Sequence, residues 1–165
     1  MELAFATGYG PALLSDIEGR SPLFRSSDVV AFGFRDKDEQ RVYGCQPLPT
    51  DLMALDLQTI RGMGISRAAD AAIGLLTRPE LEGFWIHLDA DSLNDAIMPA
   101  VDYRLSGGLF WDELEVVLKT ALSTGRAVGM ELTIYNPALD EDGSAGRELT
   151  RNVAAALGTS APFWM

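Results

Sequence analysis

The stretch Phe84-Trp85-Ile86-His87-Leu88-Asp89-Ala90-Asp91-Ser92-Leu93-Asn94-Asp95, FWIHLDADSLND, runs from an apolar strand-like segment into acid after acid. A carboxylate taken out of water is costly unless it is paired or metal-bound, so the cluster calls for a partner, and a cation suits it. Alternation along a strand points Asp89 and Asp91 the same way, which lets both hold one hard cation or bridge two. Taken alone, Asp-x-Asp is a weak signal, because acids at strand ends also serve as caps and turn formers.

Around that stretch the composition is that of one globular domain: 165 residues, 47% hydrophobic and 22% charged. The net charge of −11, from 13 Lys and Arg against 24 Asp and Glu, argues against nucleic acid, which needs a basic footprint. Cys45 is the single cysteine, so neither an intrachain disulfide nor a cysteine-based zinc site can form, in keeping with a reducing compartment. The opening Met1-Glu2-Leu3-Ala4 lacks the basic start of a signal peptide. No apolar run approaches the ~20 residues that cross a bilayer. A cytoplasmic chain without membrane contact is expected.

The pattern along the chain alternates short strands with longer helices. Strands are predicted at Asp28 to Phe34, Met53 to Leu57, Gly83 to Asp89 and Arg126 to Tyr135. Ser66 is the expected cap of a helix carrying Ala69, Ala72, Ile73 and Leu76 and stopped by Pro79. Phe110 to Ser123 sets Leu114, Val117, Leu118, Ala121 and Leu122 on one helical face, and Leu149, Val153, Ala156 and Leu157 mark a last helix before Gly158. Asp140-Glu141-Asp142-Gly143 reads as a solvated turn. This alternation predicts an α/β domain with a mostly parallel sheet, whose ligands gather outside the carboxyl ends of the strands. There the chain places Asp36, Asp89 with Asp91, and Glu131.

Two enzyme readings compete for the acidic strand end. A haloacid-dehalogenase-type phosphotransferase uses Asp-x-Asp beside magnesium, but near the start of its chain and followed by Thr or Val. Here Ser92-Leu93-Asn94-Asp95 leads instead to Pro99-Ala100-Val101 and Gly107-Gly108. The whole string, from His87-x-Asp-x-Asp-x-x-Asn-Asp through Pro99-Ala100 and Gly107-Gly108-Leu109 to Glu131 and Asn136-Pro137, resembles the ureohydrolase superfamily of arginase, agmatinase and formiminoglutamase. That resemblance implies a three-layer α/β/α fold. It also implies hydrolysis of a C–N bond in a cationic guanidino or formimino compound by hydroxide bridging two manganese ions. It makes Asp89 and Asp91 metal ligands and Glu131 the carboxylate that contacts the substrate. Gly107-Gly108 would let a loop pass close to the site, although both also serve as ordinary turn glycines. His87 stands where the family uses no ligand and is expected to pack behind the metal ligands. Self-association is left open.

The chain also departs from the family pattern. Asn94-Asp95 stands in place of Asp-Pro, and Asp102-Tyr103-Arg104, on the substrate side, in place of Gly-Thr-Pro. The family's upstream Asp-x-His-x-Asp motif and its further histidines have no counterpart, since His87 is the one histidine. The resemblance therefore implies a single arginase-like domain lacking its N-terminal motifs, with no turnover of its own. A non-catalytic cation- or amine-binding module is the alternative. In the resembled fold the missing strand lies between those matching 28–34 and 83–89. Direct pairing of these two, or with a strand from another copy, is expected to close the gap and draw Asp89 and Asp91 toward Asp36.

Overall fold

In the computed structural model, residues 2–158 are described, and they fall into two compact units that divide between Asp56 and Leu57. Each unit carries a two-stranded parallel sheet, as the alternating pattern predicts.

The first unit opens with helices α1 (Glu2–Ala6) and α2 (Ala12–Ser15) and continues through strand β1 (Val30–Phe32), helix α3 (Lys37–Val42) and strand β2 (Met53–Leu55). β1 pairs with β2 in parallel, Val30 opposite Met53 and Phe32 opposite Leu55, and the Gly33 N–H extends the ladder to the Leu55 carbonyl at 2.8 Å. Both strands are shorter than predicted. Asp36 does not end β1 but flanks α3, where its Oδ1 accepts from Gln40 Nε2 at 3.0 Å. Buried Asp56 is paired with Lys37, whose ammonium lies 5.5 Å from the Phe34 ring centre.

The second unit comprises helices α4 (Leu57–Met63) and α5 (Ile65–Leu76), strand β3 (Phe84–Asp89), helix α6 (Trp111–Ser123), strand β4 (Ala127–Thr133) and helix α7 (Ser144–Ala156). β3, α6 and β4 make a βαβ unit, and α6 packs against α5 and α7. Of the predicted helical faces, Ala69 and Ala72 of α5, Leu114, Leu118 and Ala121 of α6, and Leu149 and Ala156 of α7 are buried, while Ile73, Leu76, Val117, Leu122 and Val153 are half-buried, Leu157 is exposed, and Ala68 and Ala145 join the core. α5 starts one residue ahead of Ser66. Gly64, at φ +84°, turns the chain into it, a conformation open to glycine and costly for a side chain.

The expected direct ladder between 28–34 and 83–89 is corrected: β1 takes β2 as its partner, and β3 takes β4. Among the described residues β3 and β4 each keep one edge without a ladder partner. Between Phe84 and Trp85 the register shifts, from Ala127 to Gly129, leaving Val128 unpaired as a bulge and 72% exposed. No helix of the described residues is long and apolar enough to cross a membrane.

Candidate functional site

Parallel pairing puts Trp85 beside Gly129, His87 beside Glu131 and Asp89 beside Thr133. Because successive side chains alternate, these six residues share one face of the β3–β4 ladder. Gly129 is what admits Trp85: a Cβ there would lie 2.0 Å from the indole ring. The other face presents Ile86, Met130 and Leu88, with Leu88 buried. The sheet is thus apolar on one side and carries imidazole, two carboxylates and a hydroxyl on the other.

His87 joins the two carboxylates. Its Nδ1 lies 2.7 Å from Glu131 Oε1 and its Nε2 lies 3.2 Å from Asp89 Oδ1. An ionised carboxylate only accepts, so each contact requires a hydrogen on the ring nitrogen, and a ring with both hydrogens is a cation. Consistent with this, the hydrogen bond to Glu131 lifts the His87 pKa above its ordinary value, against the effect of burial and with help from the Asp89 charge. Thr133 Oγ1 donates to the same Asp89 Oδ1. His87, Asp89 and Glu131 each keep about half of their side-chain surface in water.

Of the residues singled out in the sequence, Asp89 and Glu131 come together on this face, and His87 lies between them instead of behind them. Asp91 lies beyond the strand whose alternation was expected to orient it. β3 ends at Asp89, and Asp91 sits in the 3₁₀ turn 90–92, so strand alternation no longer sets its direction. Gly108 does allow a close approach, whereas Gly107 has open space around it. Leu109 bridges Leu93, and a Cβ on Gly108 would lie 2.4 Å from the Leu93 carbonyl. Arg61 pairs with Glu113 and donates to the Gly108 carbonyl at 3.2 Å, while Glu113 accepts from the Phe110 N–H at 2.9 Å, so the end of this loop is tied to α4 and α6.

Thr133 and Asp140 were not anticipated. Thr133 reaches Asp89 only through the inter-strand register, which no local pattern encodes. Asp140 lies in what reads as a solvated turn, yet its carboxylate accepts from the Tyr135 hydroxyl at 2.8 Å and from the N–H groups of Gly146 and Ala145 at 2.8 and 3.1 Å. It ties the first turn of α7 to the segment after β4. Asp102, one of the departures from the family pattern, accepts from Asn136 Nδ2 at 2.7 Å, so segments 100–102 and 135–136 are zipped together.

The family model described as Arginase family matches residues 19–161. The chain belongs to the arginase family. It is similar to the arginase of Brevibacillus brevis, 28% identical over 160 residues that span 97% of this chain and 51% of that one. It also resembles the arginase of Bacillus caldovelox, 27% identical over 157 residues, 95% of this chain and 50% of the relative. Among solved structures, Bacillus cereus arginase superposes with a TM-score of 0.80 at 24% identity, over 98% of this chain and 55% of that one. The arginase-family chain therefore spans about half the length of the curated relatives it matches. Family membership leaves the phosphotransferase reading without support.

The residues of this chain do not fit a resident pair of manganese ions. Among the described residues no group of three or more His, Cys, Asp or Glu side chains is placed to hold a metal. Such ions demand several oxygen or imidazole donors each. A ring that turns both N–H groups to carboxylates has no lone pair left to give.

Proposed function

We propose that this arginase-family chain carries the cation-recognising part of a ureohydrolase site for a guanidino or formimino compound, and that alone it does not turn over. The observation that carries the reading is the Asp89–His87–Glu131 bridge. Two carboxylates on one sheet face flank a flat ring whose two nitrogens meet them at 2.7 and 3.2 Å, and a guanidinium or amidinium offers N–H donors in a similar plane. In this reading Glu131 contacts the cationic end of the substrate. Asp89 and Asp91 are the chain's share of a two-manganese centre, which supplies an activated water in a complete site. The described residues do not complete that centre, so no hydrolytic step is assigned to the isolated chain.

A second reading, a non-catalytic module for cations or amines, draws on the same bridge and differs in needing no missing part. Purified chain, incubated with manganese and arginine, agmatine or formiminoglutamate, is expected to release no product at rates near an enzyme's ~1 per second. Calorimetry with agmatine is expected to show weak binding that Glu131→Gln reduces severalfold. Turnover near that rate overturns the inactive assignment, and agmatine binding indifferent to Glu131→Gln overturns the recognition assignment.

A further inference from the structure

We propose that Trp85 is a stacking platform for the substrate: its indole takes the flat face of a guanidinium or amidinium ion whose edge is held by Glu131, and it makes the site prefer such planar cations to a compact ammonium. The inference rests on the reading of Glu131 as the carboxylate that meets the substrate cation, and deepens it by naming a residue that sets which cations are taken.

The ladder sets Trp85 beside Gly129 and, one pair further along the same face, His87 beside Glu131. With no side chain at residue 129, the indole crosses to β4, and its Cε3, Cζ3 and Cη2 atoms lie where a Cβ would stand. The benzo edge of the ring thereby reaches Glu131's own strand two residues before it, a spacing of ~7 Å. An indole attracts a cation from within ~6 Å of the ring centre, so an ion at the Glu131 carboxylate comes within its reach. That carboxylate has room for one: His87 contacts Oε1, and Oε2 meets no donor among the described residues. Covering Gly129 uses only part of the ring, and Trp85 keeps 55% of its surface in water. A planar N–C–N cation suits this pairing of apolar face and carboxylate. Its edge donates two N–H groups to the carboxylate while its weakly hydrated face stacks on the indole, whereas an ammonium is a compact, strongly hydrated charge.

The test is calorimetric titration of the whole chain at neutral pH with n-butylguanidinium and n-butylammonium, which share a tail and differ in the cation. The wild type is expected to bind the guanidinium about two- to fivefold more tightly, the size of a cation–π contact at an exposed site. Trp85→Leu should remove that preference, and Trp85→Phe, which keeps a ring, should retain part of it. In proton NMR the indole ring current should displace the first methylene of bound butylguanidinium upfield. Trp85→Leu should abolish that displacement, which a purely structural role would not produce. Equal binding of the two ions by the wild type, or a preference that Trp85→Leu leaves intact, overturns the platform. Should Trp85→Leu fail to fold by circular dichroism, Trp85→Phe and the wild-type displacement decide, and an undisplaced methylene overturns it. Guanidinium binding that falls with Glu131→Gln but not with Trp85→Leu overturns the platform and keeps the proposed function. Binding that falls with Trp85→Leu but not with Glu131→Gln overturns recognition by Glu131 and leaves the indole as the binder. No binding of either ion overturns both.

Discussion

His87 and Glu131 are register partners on adjacent parallel strands, and their side chains meet at 2.7 Å between Nδ1 and Oε1, 44 positions apart in the chain. Neighbouring strands are ~4.8 Å apart, so a ring on one and a carboxylate on the other touch without strain. The contact is half open to water, which limits its energetic weight but makes it easy to observe.

With metal removed by chelator, the single imidazole should titrate above ~6.5 in proton NMR, because the Glu131 hydrogen bond favours its charged form. Glu131→Gln should move the midpoint down. A raised folded value means the stabilisation is fully present below the unfolded value of ~6.5 and is lost as pH rises through the folded one. A midpoint unchanged by Glu131→Gln would show that the contact does not persist in solution.

Asp140 should behave in the opposite sense. The Gly146 N–H first, then the Tyr135 hydroxyl and the Ala145 N–H, hold its pKa below the ordinary carboxylate range. Its contribution is present above the unfolded value of ~3.9 and disappears as pH falls through the lowered folded value. Thermal melts of Asp140→Asn and wild type should therefore differ at neutral pH and draw together as pH falls through the lowered folded value.

Gly108 should not tolerate a side chain. Its Cβ would meet the backbone of Leu93 at 2.4 Å and Asn94 N at 2.5 Å, neither of which can swing aside. Gly108→Ala is expected to cost about 1–3 kcal/mol or more in urea unfolding. Gly107, at φ +77° with open space around it, should lose about 1–2 kcal/mol on mutation to Ala, from the backbone alone, and less on mutation to Asn.

Ile134, directly after β4, sits at φ +71°, where a β-branched residue is strained. It is 45% exposed and gives up little packing. Ile134→Asn should raise stability by roughly 1 kcal/mol, read as a higher urea midpoint. A lower midpoint would mean that its contacts outweigh the strain.

Much of the fold was legible because it rests on local periodicity. Leu114, Leu118 and Ala121 repeat at helical spacing, and the run from Phe84 to Asp89 is bounded by Gly83 and an acidic turn, so α6 and β3 appear within a residue of their predicted limits. Ladder partners were not legible, since pairing is chosen between distant segments. The strand over 28–34 has the composition of an interior strand, yet its partner is β2, next in the chain among the strands. Reading the direction of Asp91 from the sequence lost its ground for a local reason. The alternation argument holds only while the strand lasts, and this one gives way to a 3₁₀ turn at Ala90.

The sequence by itself determined the class of this protein: a parallel α/β chain of the arginase family, acidic, with carboxylates at the end of the strand carrying Asp89 and one histidine on that strand. Those properties follow from residue type, spacing and order along the chain. Only the tertiary structure decided what the histidine does. The β3–β4 register sets Glu131 beside His87 and Thr133 beside Asp89, turning a ring that reads as packing into a bridge between two carboxylates. Register is a property of two strands packed together, fixed by the burial of Phe84 and Leu88 on the opposite face, and neither strand encodes it alone.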